Sequence, residues 1–141
     1  MSGFLLDTNI ISELIKPKPE PRLVAWMEVT DERLLHLTVL TLGEIRKSIA
    51  AVTKPARRAQ LESWLESDLR LRFSGRILPV DEEVAVRWGT VAGRAAARRA
   101  TVPVIDGLLA ATALHHNLTV VSRNTKDVAA TGALVFNPWE T

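Results

Sequence analysis

Phe4-Leu5-Leu6-Asp7-Thr8-Asn9 is an apolar run that ends in a carboxylate, and residues 10–15 follow at once with apolar side chains at helical spacing. A short apolar run bounded by polar residues reads as a buried strand, so Asp7 sits on a strand-to-helix turn. In open α/β sheets the crevice outside the carboxyl ends of the strands is where ligand sites form. Asp, Thr and Asn are also ordinary helix N-caps. From this stretch alone, capping and a place in a site both stand for Asp7, Thr8 and Asn9.

Working outward, Pro17, Pro19 and Pro21 interrupt the first helix and make an extended connection with Lys16 and Lys18. A second helix is predicted over 21–29 and a short strand over 34–37. The helix predicted over 38–54 carries Leu42, Ile45, Ile49 and Val52 on one stripe, with Thr41 and Glu44 in capping-box spacing. Pro55 suits the first turn of the next helix, which holds Leu61, Trp64, Leu65 and Leu69 and ends at Gly75. Residues 76–79 are too short to assign as a strand. Asp81 caps a long helix with Val84, Trp88, Val91 and Ala95 on its apolar side, and residues 105–116 form another, stopped by Asn117. A strand over 119–122, a short helix opened by Asn124 and a last strand over 134–136 complete the pattern.

Strands alternating with helices predict an α/β fold, a three-layer sandwich with a mostly parallel central sheet flanked by helices. At 141 residues the chain is expected to form one domain over 1–141. It has no cysteine, so a disulfide framework and thiolate metal sites are excluded. There is neither a basic-then-apolar leader nor an apolar run of about 18 residues, so no membrane span is expected and a cytoplasmic location is. The formal charge of +2 decides little. Its distribution says more, because Arg57, Arg58, Arg70, Arg72, Arg76, Arg94, Arg98 and Arg99 fall on predicted helices or their ends, away from the acidic positions below. Such a split could hold a polyanion by its backbone, or simply form a solvated surface.

In this topology residues just past different strands share one edge. Asp7 follows the first strand, Glu44 lies in the helix after the second, Asp106 opens its helix and Asn124 follows the fourth strand. Three carboxylates gathered at neutral pH either take up protons or hold a cation. Their hard oxygens suit Mg²⁺, with Mn²⁺ as an alternative. Such an ion lowers the pKa of bound water and stabilises phosphoryl oxygens, which is the chemistry of phosphodiester hydrolysis. His36, His115 and His116 show no metal-ligand spacing, and the four tryptophans read as core or interface.

Leu5-Leu6-Asp7-Thr8-Asn9, Thr41-Leu42-Gly43-Glu44, Asp106-Gly107-Leu108-Leu109-Ala110-Ala111-Thr112-Ala113 and Val121-Ser122-Arg123-Asn124-Thr125-Lys126-Asp127, in this order, resemble the PIN-domain ribonucleases. More narrowly the chain is similar to the VapC toxins of bacterial type II toxin–antitoxin systems. Gly75-Arg76-Ile77-Leu78-Pro79 and Phe136-Asn137-Pro138-Trp139 are similar to the FitB-like branch. The resemblance implies that Asp7, Glu44 and Asp106 are the acidic metal-binding residues, supported by Thr8 and Asn9. It also implies Mg²⁺-dependent RNA cleavage, a homodimer and a cognate VapB-like antitoxin. The fourth acidic position of the pattern falls on Asn124, which weakens a second metal site; Asp127 is the candidate substitute acid. The expectation is one well-occupied ion without RNA and a second only with substrate.

Two other classes fit parts of the chain. A non-catalytic module could keep the fold and bind nucleic acid or a partner without cutting, although all three carboxylates are retained. A phosphoaspartyl enzyme or receiver domain could use Asp7, but haloacid-dehalogenase-type enzymes need Asp-x-Asp after the first strand, and Asn9 occupies the second position.

Overall fold

The structure, a computed structural model, describes residues 2–140. Five short strands, β1 (Phe4–Leu6), β2 (Leu35–Thr38), β3 (Ile77–Leu78), β4 (Thr119–Val121) and β5 (Val135–Phe136), lie in the order β3-β2-β1-β4-β5. All four pairings are parallel. Parallel neighbours need crossovers, and helices supply them. Helices α1 (Thr8–Leu14) and α2 (Pro21–Val29) lead from β1 to β2; α3 (Val39–Ala50), α4 (Pro55–Ser63) and α5 (Arg70–Arg72) lead on to β3. Helices α6 (Glu82–Ala97) and α7 (Val104–His116) return the chain to β4, and α8 (Thr125–Ala129) connects to β5.

Period-two alternation sorts the strand side chains into two apolar layers. Leu6, Leu35, Leu37 and Val121 enter a larger core with Ile10, Ile11, Ile45, Ile49, Leu65 and Phe73 from the first helices. Leu5 and Val120 enter a smaller one with Leu109, Ala110 and Ala113 of α7 and Val128 of α8. The expected three-layer sandwich is therefore formed, with every strand parallel. Because α1 leaves β1 into one layer and α8 leaves neighbouring β4 into the other, the chain parts at their carboxyl ends, where a crevice opens.

Three local differences from the sequence reading have physical causes. Ile77 and Leu78 do make a strand, since they pair with Leu37 and Thr38 and extend the edge of β2. Strand β2 starts at Leu35 because Leu34 closes a 3-10 turn capped by the Asp31 carboxylate. The helical run from Pro55 widens into a π-helical turn over Trp64–Leu69 before ending at Arg72, with Gly75 at φ +79° just beyond. Three of the four tryptophans belong to the larger core: Trp26 meets Phe4 edge-on at 5.1 Å, and Trp64 and Trp139 pack beside it.

Of the eight arginines for which a polyanion surface and a solvated surface both stood, four are paired to acids. Arg58 lies 3.9 Å from Glu62, Arg70 pairs with Glu66, and Arg72 and Arg76 both grip Glu32 at 2.9 Å. Arg76 also donates to the carbonyl of Leu35 at 2.7 Å, tying the chain before β3 to the start of β2. These four are fastenings of the fold rather than a free basic track.

Candidate functional site

Asp7 is the first residue past β1, and its backbone N–H donates to the Val121 carbonyl at 2.9 Å. Its Oδ1 accepts from the Thr8 N–H at 2.7 Å, so it does cap α1. Its Oδ2 accepts from the Ser122 hydroxyl at 2.8 Å and, more loosely, from Asn9 Nδ2 at 3.4 Å. The side chain is only 8% exposed. Burial pushes the carboxyl up from its usual range against the Ser122 and Thr8 hydrogen bonds, and the charge of Glu44 adds to the rise. Capping therefore accounts for one oxygen; the other stands in a polar cluster that belongs to the crevice.

Glu44 comes from α3, whose N-cap is Thr38, with a hydroxyl that accepts from the N–H groups of Leu40 and Thr41. The Thr41–Glu44 capping box suggested by spacing is thus not formed, because the helix begins a turn earlier. Glu44 Oε1 instead accepts from the Thr8 hydroxyl at 2.6 Å, and Thr41 lies 3.2 Å from that same hydroxyl. Asp106 stands in the first turn of α7, where the helix dipole favours an anion. Gly107 beside it is required by packing: a Cβ there would lie 3.0 Å from the Trp88 ring, so glycine lets α6 close on the turn that carries Asp106. Burial raises the Asp106 pKa, and the charges of Asp7, Asp127 and Glu44 raise it further.

Asn124 stands at the N-cap position of α8. It makes no side-chain cap bond to α8. Its Nδ2 donates to Asp127 Oδ2 at 3.1 Å and to Asp106 Oδ2 at 3.4 Å, while its backbone N–H donates to Ser122 Oγ at 2.9 Å. The amide thus presents its positive end between two carboxylates. Asp127, the third residue of α8, stands behind Asn124 and outside the lining of the crevice.

Asp7, Thr8, Asn9, Glu44, Asp106 and Asn124 all line one crevice of about 420 Å³. Among the described residues none of Asp7, Glu44, Asp106 and Asp127 has a cationic side chain within ion-pair distance. The donor set, hard oxygens whose charges add to the rise of the Asp7 and Asp106 pKa values, fits a divalent cation. Among the described residues no three carboxylates close round one ion as they stand. The histidines lie elsewhere: His115 pairs with Glu83 at 3.1 Å, and His36 Nδ1 faces the carbonyls of Phe4 and Leu34.

Ser122, buried beneath the crevice, and several lining residues escaped the sequence reading. Ser122 is fully buried and joins Asp7, Asn9 and Asn124. Its signal was the register: Leu6 pairs with Val121, so the next residues, Asp7 and Ser122, stand side by side. Glu13, Lys16, Arg123 and Trp139 also line the crevice, from a helix end, a loop and the chain's last turn. No local spacing marks residues assembled that way.

The PIN domain profile matches residues 4–133. Toxin FitB of Neisseria gonorrhoeae is 38% identical over 135 residues, covering 96% of this chain and 97% of FitB. VapC ribonuclease Y4jK of Sinorhizobium fredii is 33% identical over 136 residues, covering 96% and 97%. The crystal structure of FitAcB from Neisseria gonorrhoeae superposes with a TM-score of 0.94 at 37% identity, over 98% of this chain and 99% of that one. DNA-bound VapBC from Salmonella typhimurium shares the fold, with a TM-score of 0.79 at 24% identity over 98% and 99%.

Proposed function

The chain belongs to the PIN-domain family, in the branch that holds the FitB and VapC toxins, and from that premise we infer that it is a metal-dependent endoribonuclease acting as the toxin of a toxin–antitoxin pair. One observation carries this reading: three acids from remote segments, Asp7, Glu44 and Asp106, line one crevice and have no described cation paired to them. In this reading they hold Mg²⁺, which Mn²⁺ can replace. Bound there, the ion supplies a water of lowered pKa and offsets charge on the phosphoryl oxygens.

The chain's own residues prepare the site. Ser122 and the Thr8 N–H fix the two oxygens of Asp7, and the Thr8 hydroxyl fixes one oxygen of Glu44. Every described buried side-chain polar atom has a hydrogen-bond partner, so these orientations are set before substrate arrives. Asn124 holds Asp106 and Asp127 together without adding a fourth charge, which favours one ion over two. In this reading a single RNA strand lies in the crevice with its phosphodiester at the carboxylate cluster.

The partners follow from the same branch. A VapB-like antitoxin would cover the apolar groove between α1, α3 and α4, lined by Ile15, Ile49, Val52, Leu61 and Trp64. Exposed Val86, Val104, Ile105 and Leu134 supply apolar surface for a homodimer. A cytoplasmic site of action suits an RNA substrate, and no described helix is long and apolar enough to cross a membrane. The test is cleavage of bulk cellular RNA by purified protein with Mg²⁺, with chelator, and by Glu44→Gln. Cleavage only by the parent with metal supports the reading; cleavage that survives both chelator and Glu44→Gln overturns it.

A further inference from the structure

The crevice is acidic where the reaction is proposed to occur, yet its substrate is a polyanion, so some group must offset the repulsion on a phosphate next to the scissile one. Two cations line it, Lys16 and Arg123. Lys16 is held by Glu13 at 2.9 Å. Arg123 has no described acid within ion-pair distance, although its charge adds to the Lys16 hydrogen bond that lowers the Glu13 pKa; its backbone N–H donates to Asn9 Oδ1 at 3.2 Å, and its guanidinium carbon lies 5.2 Å above the Trp139 ring. Stacking on an aromatic face uses none of the five N–H donors, so the fork stays oriented and free. Trp139 is itself buried against the larger core, which makes the platform rigid. Arg123 also sits between Ser122 and Asn124 in sequence, so its backbone is fixed by the same hydrogen bonds that order the acids.

Resting on the ribonuclease reading above, we propose that Arg123, stacked on Trp139, is a substrate-binding residue that grips the phosphodiester flanking the scissile one and so sets where an RNA strand lies across the carboxylates. A guanidinium fork matches a phosphate bidentately. No other described arginine lines the crevice: Arg58, Arg70, Arg72 and Arg76 are paired to acids elsewhere, and Arg87 and Arg94 face clefts along α6 that do not include it. Gripping one phosphate beside the reacting one contributes to ground state and transition state alike, so it acts on KM rather than kcat.

The test measures binding of a fluorescein-labelled, mixed-sequence single-stranded RNA in chelator across a salt series, alongside Mg²⁺-dependent cleavage of the same RNA. Arg123→Ala is expected to weaken binding about tenfold and to flatten the log Kd against log salt slope by about 0.7, the release expected of one phosphate contact on a single strand. Its KM should rise about as much with kcat within about twofold of the parent. Arg123→Lys should keep the salt slope but not the full affinity, and Arg94→Ala, a control for net charge, should change neither. Arg123→Gln serves if the alanine variant lowers thermal stability. Equal affinity and slope in the parent and the Arg123 variants, with the parent still cleaving, overturns the anchor alone. Equal losses in Arg123→Ala and Arg94→Ala reduce it to net charge and also overturn it. A parent that neither binds nor cuts RNA overturns the ribonuclease reading and the anchor with it.

Discussion

Glu32 and Asp7 are both carboxylates set at a helix terminus near the sheet, and the folded protein treats them in opposite ways. Burial pushes Glu32 up, but hydrogen bonds and charge from Arg72 and Arg76 outweigh it and hold the carboxyl below its usual range. Burial pushes Asp7 up as well, and there hydroxyl and amide donors do not outweigh it, while Glu44 adds repulsion. At Glu32 two guanidinium groups close on one acid and fasten the edge of the sheet. In the crevice several acids face one another with neutral donors between them. The first arrangement spends charge on stability; the second keeps charge uncompensated, which is useful only if a cation comes from outside.

The largest expected effect breaks the acidic side. Asp7→Asn removes a carboxylate but keeps one oxygen to accept from the Thr8 N–H, while the amide nitrogen takes the place of the oxygen that accepted from Ser122 and donates to the Ser122 hydroxyl instead. RNA cleavage is expected to fall at least about 100-fold, while the melting temperature of the metal-free protein rises by about 2–4 °C because a disfavoured buried charge is gone. Paired activity and calorimetric measurements check both signs. Unchanged cleavage by the folded variant would reduce Asp7 to a helix cap.

The basic side breaks in the opposite direction. Arg76 is 19% exposed and serves Glu32, the Leu35 carbonyl and the Phe73 ring at once. Arg76→Ala is expected to cost about 2–3 kcal/mol of stability, since it strands hydrogen-bonding partners, with cleavage per folded molecule unchanged. Arg46→Ala, which removes an exposed pairing to Glu62 and Glu66, should cost no more than about 1 kcal/mol. Denaturant unfolding distinguishes the two; equal costs would show that the Glu32 cluster is no stronger than the exposed ion pairs.

A smaller effect sharpens the contrast through pH. Asp7 and Asp106 have folded pKa values raised above 3.8, so the folded state holds protons that the unfolded chain releases. These two groups therefore take stability away as pH rises from about 3.8 through their raised values. Glu32, with a folded pKa below 4.5, contributes stability that is present above 4.5 and lost as pH falls through its folded value. Mg²⁺ should offset only the first contribution. The gain in melting temperature on adding Mg²⁺ is expected to grow between about pH 4 and about pH 7 as the acids lose their protons; a gain independent of pH would separate the ion from these carboxylates.

These comparisons also mark what could be read from the residues alone. The strand-then-acid pattern of Leu5-Leu6-Asp7 and the helix opened around Asp106 were legible because each is local: an apolar run, then a polar residue at the start of a helix. The position of Glu44 on its helix was legible, but its partner was not, since Thr8 lies 36 residues away. Ser122 needed the β1–β4 register, which no short window contains. Strand β3 needed the edge of β2 to pair with. Which arginines are free was not legible at all, because the one acid that neutralises both Arg72 and Arg76, Glu32, comes from a turn about 40 residues earlier in the chain.

The sharpest measurement is a calorimetric Mn²⁺ titration of the RNA-free protein near neutral pH, with Asp7→Asn and Asn124→Asp beside the parent. Three acids and one amide should give one site in the parent, loss of that site in Asp7→Asn with the fold intact, and a second site in Asn124→Asp, where a fourth charge replaces the bridging amide. Two tight sites in the parent, or one that survives Asp7→Asn unchanged, would contradict the assignment of these carboxylates to a single cation.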